Sequence, residues 1–288
     1  MENSDTVEIV YRYEGGDFTP QARPASAQEA LQRLDAGNQT FADLFSGQGK
    51  RAGASRRVIP IDPHDLGLRN DEGDTHKQRP FAAVLGCADA RVPIELIFNE
   101  GPNDLFVVRV AGNTLGDDVR GSLSYALEHL SDSLKLVVVL GHSGCGAVSA
   151  AVDSFLDPGA YLSLATNHSV RSVVDRLSVV VLAAARRLEA AYGNAVRRHP
   201  RYREALIETA VITNAALSAH TLQSEIGTSS AVRVGYGVYN LNDRQIWAPR
   251  HDSTAVNGLA APPQDRQGFL DFGKAVLGSE RIRAIVES

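Results

Sequence analysis

Three stretches, residues 81–85, 105–110 and 136–140, are apolar at nearly every position and too short to be buried helices. Runs of this length predict strands covered on both faces, as in a parallel sheet. Between and after them the period changes. Residues 121–130, 144–155, 173–192 and 202–226 carry apolar side chains at helical spacing. Within 173–192, Arg186, Arg187 and Glu189 mark a wetter face. Residues 94–98 allow a helical turn or two, Gly112-Asn113 gives a turn, and Asp157-Pro158-Gly159 breaks the helix that begins at Gly144. Residues 231–241 alternate well enough for a strand, and 244–248 return across Asn242-Asp243, a hairpin signal. The tail from Pro249 begins as loop and ends in a helix over 279–286. The order βαβαβ, then helices, then a hairpin predicts an α/β fold: a mainly parallel β-sheet with an antiparallel edge strand, flanked by helices.

The chain before this core reads differently. Residues 1–23 have weak signals and read as an arm, in which 7–11 can pair as a strand. Ser26 fits an N-cap, and Glu29 completes a capping box. Residues 27–45 then form an amphipathic helix with Ala30, Leu31, Leu34, Phe41 and Leu44 near one face. Residues 47–79 are polar and rich in Gly, Pro and charge, so they read as a loop or insertion. Their basic cluster, Lys50, Arg51, Arg56 and Arg57, reads as a solvated face. Three parts result: an N-terminal helical arm (1–46), a polar loop (47–79) and an α/β domain (80–288). The polar stretch gives the amphipathic helix the reach to dock on a neighbouring subunit, the alternative being that it folds back on its own domain.

Composition narrows the class. The chain has 288 residues, 43% of them apolar, which is ample for a core. A net charge of −5 argues against nonspecific nucleic-acid binding. No apolar run approaches the roughly 20 residues of a membrane span, and residues 1–17 hold no apolar signal core, so a cytoplasmic protein is expected. There are two cysteines. In a reducing compartment a metal is the better reading of them than a disulfide.

Those two cysteines sit where chemistry is expected. Cys87 directly follows the first apolar run, and His142 and Cys145 follow the third. The carboxyl ends of parallel strands share one crevice, where ligands bind. A Cys2His set there suits zinc, and three protein ligands leave one tetrahedral position open, the mark of a catalytic site. Cys145 falls at a predicted helix N-terminus, where the dipole lowers a thiol pKa, and Gly144 and Gly146 allow close approach of backbone. The histidines at 64, 76, 129, 168, 199, 220 and 251 have no such context. Asp89 and Arg91 are two residues apart, so on an extended turn they share a side. There Arg91 can hold the carboxylate bidentately and ionised.

The joint pattern, Cys87-Ala88-Asp89-Ala90-Arg91 with His142-Ser143-Gly144-Cys145-Gly146, resembles the β-class carbonic anhydrases, and the resemblance runs from about residue 25 to 247. It implies one Zn2+ per chain on Cys87, His142 and Cys145. It also implies reversible hydration of carbon dioxide to bicarbonate and a proton, by attack of zinc-bound hydroxide. Asp89 and Arg91 would be catalytic, with Asp89 able to become a fourth ligand that closes the site. Gln78, Phe106, Ala111, Tyr125 and Gly146 match substrate positions. Arg109 and Asn113 match an Arg-Asn stretch in which Val110 replaces a further Asn. Val84 stands where one branch of the family has a Trp that helps to bind noncatalytic bicarbonate. The resemblance also implies a homodimer or higher even homo-oligomer, with Gln78 and Phe106 contributed across the interface. Two rival readings keep the fold. One is a zinc hydrolase of CS2 or carbonyl sulfide; the other is a zinc-containing binding or assembly protein without activity.

Overall fold

The computed structural model describes residues 6–13, 21–45, 55–66, 77–164, 167–227, 229–249 and 257–288. Its centre is a five-stranded sheet. Strands β3 (Ala82–Gly86), β4 (Leu105–Arg109), β5 (Leu136–His142) and β6 (Arg233–Tyr239) are parallel, and β7 (Ile246–Trp247) pairs antiparallel with β6. The spatial order is β4-β3-β5-β6-β7. Every residue of β3 and β5 is buried, which is why their sequences are apolar throughout rather than alternating. The chain runs from β3 outward to β4, then crosses back to β5 on the other side of β3. The carboxyl ends of β3 and β5 therefore flank a topological switch point.

Side chains alternate between two layers. Ala83, Leu85, Val137, Val139, Val234 and Tyr236 face a core shared with α3 (Asp117–His129), α4 (Gly146–Leu156), α6 (His168–Tyr192), α7 (Tyr202–Ile226), α8 (Arg266–Gly278) and α9 (Glu280–Val286). Ala82, Val84, Leu136, Val138 and Leu140 face a smaller core with α1 (Ala27–Phe45) and α2 (Ile94–Ile97). No helix among the described residues is long and apolar enough to cross a membrane.

Helix α1 corrects one expectation: its apolar face is spent on its own sheet rather than on a neighbour. Ala30, Leu34 and Phe41 are buried with Phe81, Val84 and Val138. Polar contacts fix the docking. Asn38 Nδ2 donates to the carbonyls of Ile97 (3.3 Å) and Arg244 (3.0 Å), and its Oδ1 accepts from Ile246 N (2.8 Å). Gly37 lies so close to α2 that a Cβ would sit 1.9 Å from the Phe98 carbonyl oxygen. At the start, Ser26 Oγ accepts from Glu29 N as expected of an N-cap, while Glu29 reaches back to Ala25 N, one residue beyond the capping-box donor.

Elsewhere the structure adds elements. Within 47–79, β2 (Ser55–Ile61) pairs in parallel with β1 (Val7–Tyr13). Ile59 and Ile61 are buried, Arg56 pairs with Glu8, and Arg57 donates to Asn99. Lys50, Arg51, His76 and His251 lie outside the described residues. Pro158 ends α4 but also opens α5 (Pro158–Leu164), since a first-turn proline has no hydrogen bond to lose. On α6 only Arg186 of the expected wet face is exposed. Arg187 lies over the Phe272 ring, 5.2 Å from its centroid, and Glu189 takes Arg186 and Arg197.

Candidate metal centre

The β3–β4 ladder continues past the strand end through Val110 N to Gly86 O and Ala88 N to Val110 O, which delivers Cys87 at the switch point. Beside it, β5 ends on His142, which is fully buried. Ser143 N bonds Tyr239 O, Gly144 turns the chain at φ 61, and Cys145 becomes the N-terminal cap residue of α4. The two sulfurs lie 3.9 Å apart, far beyond a disulfide bond, and both cysteines are free and buried. One ligand atom from each of Cys87, His142 and Cys145 lies within 4.8 Å of the others.

The donor set fits a metal ion. His142 Nδ1 is 3.0 Å from the Ser143 carbonyl, so that nitrogen carries the proton and Nε2 keeps its lone pair. Nε2 is buried and has no hydrogen-bond partner, an orphaned acceptor beside two sulfurs. A buried group left so needs a reason, and a cation supplies one. The Cys87 thiol is brought down to about 4 by the hydrogen bond from Cys145, with the Asp89 and Gly112 amides acting in the same direction against burial. Gly112 N lies 3.3 Å from Cys87 Sγ. Cys145 is pushed up, because it is the donor to Cys87 and is buried. The amides of Val148 and Ala147 do pull Cys145 down, as expected at a helix N-terminus, but the shared proton outweighs them. A bound metal ion would displace that proton and be held by two thiolates.

Asp89 and Arg91 meet as their spacing predicts. Arg91 Nε donates to Oδ1 at 3.0 Å, Nη2 to Oδ2 at 2.8 Å, and the Arg91 amide to Oδ1 at 2.9 Å. The bond from Arg91 holds the carboxyl well below the usual range. Asp89 Oδ2 lies 3.8 Å from His142 Nε2, at the edge of the cluster. Arg109 braces the same loop by donating to the Cys87 and Asp89 carbonyls. Asn113 follows it, buried, with Nδ2 unpartnered.

The substrate positions divide in two. Ala111 and Gly146 are exposed and adjoin the cluster in sequence, one before Gly112 and one after Cys145. Gln78, Phe106 and Tyr125 are not brought to it. Gln78 precedes the amino end of β3, opposite Cys87. Phe106 pairs with Ala83, four residues back from Cys87, about 13 Å along the strand. Tyr125 lies on α3, 46% exposed and stacked on His129 at 4.5 Å. Two further residues touch the site's backbone: Glu208 Oε1 accepts from Gly144 N at 2.8 Å, and Asn214 Nδ2 donates to Gly112 O at 3.0 Å. Both sit inside a long apolar helix, far away in sequence, with no local signal to mark them.

Fold and cluster together define an α/β protein with a Cys2His group, compatible with metal binding, at the switch point of a parallel sheet. Residues 82–246 match the family described as carbonic anhydrase. Carbonic anhydrase 2 of Mycobacterium tuberculosis is 37% identical over 166 residues, covering 57% of this chain and 67% of that protein. The carbonic anhydrase of Mycolicibacterium smegmatis is 37% identical over 163 residues, with the same shares. A tetrameric β-carbonic anhydrase of Sordaria macrospora superposes with a TM-score of 0.49 at 18% identity, over 76% of this chain and 94% of that one. The chain belongs to the carbonic anhydrase family, in its β class.

Proposed function

We propose that Cys87, His142 and Cys145 hold one Zn2+ per chain, and that the protein catalyses the reversible hydration of carbon dioxide to bicarbonate and a proton. The observation that carries this is the orphaned His142 Nε2 beside two buried sulfurs, with a fixed carboxylate 3.8 Å away. When bound, the ion supplies the Lewis acidity that delivers a hydroxide nucleophile near neutral pH.

The chain's own groups do the rest. Arg91 keeps Asp89 ionised and fixes its direction, so Asp89 accepts a hydrogen bond from the attacking water and aims its lone pair at the carbon. The Ser143 carbonyl sets the tautomer of His142, and Gly112 N–H and Arg109 fix Cys87. Ala111 and Gly146 contact substrate on the exposed side.

Gln78, Phe106 and Tyr125 serve the site of a second copy in a homodimer or higher even oligomer. Strand β4, all of it partly exposed and at the sheet edge, supports this, since an open apolar edge invites a partner. Two free thiols suit a reducing compartment, and the cytoplasm is our reading. Stopped-flow hydration of carbon dioxide by metal-stripped and zinc-reconstituted protein tests the assignment. Activity should appear only with zinc. A fully zinc-loaded protein that hydrolyses carbonyl sulfide but does not hydrate carbon dioxide would overturn it.

A further inference from the structure

Each half of the metal cluster hangs on a glycine in the left-handed region. Gly112, at φ 65, presents its N–H to Cys87 Sγ, and Gly144, at φ 61, makes the turn between His142 and Cys145. Glycine visits left- and right-handed backbone with similar ease, so neither turn locks itself. What holds both is one face of α7. Residues 208, 211 and 214 are three apart and share a side of the helix. Glu208 takes the Gly144 amide, Asn214 takes the Gly112 carbonyl, and Val211 lies between them against Gly141, where a Cβ would be 3.1 Å from Val211 Cγ1.

The two turns are not equally supported. Gly112 is also wedged by packing: a Cβ there would lie 3.1 Å from both Ala147 Cβ and Leu177 Cδ1. Around Gly144 a Cβ would meet nothing within 4 Å, so packing does not restrain that turn. The Glu208 contact therefore matters more to its site half than the Asn214 contact does to the other.

We propose that Glu208 and Asn214 are positioning residues that hold the two halves of the metal site at ligand distance, Glu208 through the Gly144 turn and Asn214 through the donor to Cys87. This rests on the metal assignment above. Neither residue touches the ligand atoms or the substrate; each acts through a glycine peptide. Partners of this kind usually change metal affinity by about 10- to 100-fold when removed. A role confined to packing α7 would lower stability and leave the metal's surroundings unchanged.

The test uses the full chain loaded with Co2+, read by its thiolate-to-cobalt charge-transfer band and by the rate of release to a chromophoric chelator. Glu208→Ala should weaken the band and speed release by about 10-fold or more. Asn214→Leu, which keeps volume but loses the donor, should do the same toward the lower end of that range. Glu208→Gln retains an acceptor for Gly144 N–H and should restore band and release to within about twofold of the parent. Glu208→Gln and Asn214→Leu remain decisive if the alanine variant does not fold. Parental bands and release rates in both Glu208→Ala and Asn214→Leu would overturn the proposal, as would Glu208→Gln releasing Co2+ as fast as Asn214→Leu or faster. A parent protein that binds Co2+ without a thiolate band would instead overturn the metal assignment, and this inference with it.

Discussion

Replacing Arg33 with Met should destabilise the fold more at pH 8 than at pH 5. Arg33 projects from α1 and holds Glu100 through Nε–Oε1 at 2.9 Å and Nη2–Oε2, with side-chain exposures of 11% and 4%. Burial lifts the Glu100 carboxyl to about 7, even though Arg33 pulls it down. A carboxyl raised in the folded state binds its proton there more tightly than in the unfolded chain. The contribution of this group to stability is therefore fully present below about pH 4.5 and is lost as pH rises through about 7. At about 1.4 kcal/mol per unit, the lift from 4.5 corresponds to roughly 3 kcal/mol in the parent. Met preserves the apolar stem but leaves a buried carboxylate beside Asp104 with no cation. At pH 8, one unit above that value of about 7, the carboxyl of the variant takes up a proton rather than stay unpaired, so the extra loss is limited to about 1.4 kcal/mol. Near pH 5 the carboxyl is neutral in both proteins, and the difference shrinks to the roughly 1 kcal/mol of a lost hydrogen bond. Urea unfolding followed by circular dichroism, on metal-free protein at both pH values, measures this. An equal loss at the two values, or less than about 1 kcal/mol at pH 8, would show that Glu100 does not couple the loss of Arg33 to pH.

Asp89→Asn should keep its metal and lose about 100-fold or more of carbon dioxide hydration, since the amide presents a donor where only an acceptor works; stopped-flow assay beside elemental analysis checks both. Gly37→Ala should cost about 2–3 kcal/mol in urea unfolding, because the new methyl collides with the Phe98 carbonyl and α1 must lift off α2. Tyr125→Arg, at an exposed position on α3, should leave the monomer's stability unchanged but weaken self-association and activity together, as read by analytical ultracentrifugation and the hydration assay. A fully active, fully associated variant would remove Tyr125 from the shared site.

The parts of this molecule that were legible in the sequence are those governed by local rules. Strands β3 and β5 announce themselves because burial on both faces demands apolar residues at every position, whereas β4, whose sequence led to the same expectation, lies at the sheet edge and is only partly covered. Helices α1 and α7 keep their sequence-derived bounds, residues 27–45 and 202–226. Cys87, His142 and Cys145 converge because strand ends at a switch point must.

What was not legible is long-range. The amphipathicity of α1 shows that one face is buried, not which surface covers it. Strand β2 hides behind Arg56, Arg57 and Pro60, since only its contact with β1 makes it a strand. Residues 266–278 fell within a tail expected to start as loop, yet they form α8, with Asp265 as its cap and Phe272 buried. Glu208 and Asn214 are ordinary helix residues until the fold places them under two glycines.

On the function proposed above, Cys87, His142 and Cys145 together hold the catalytic ion. Elemental analysis of the purified parent and of Cys145→Ser, at equal protein concentration, tests it most directly. The expected result is about one zinc per chain in the parent and a large loss in the variant, because a serine hydroxyl is a poor zinc ligand at neutral pH. Undiminished zinc in Cys145→Ser would contradict the assignment.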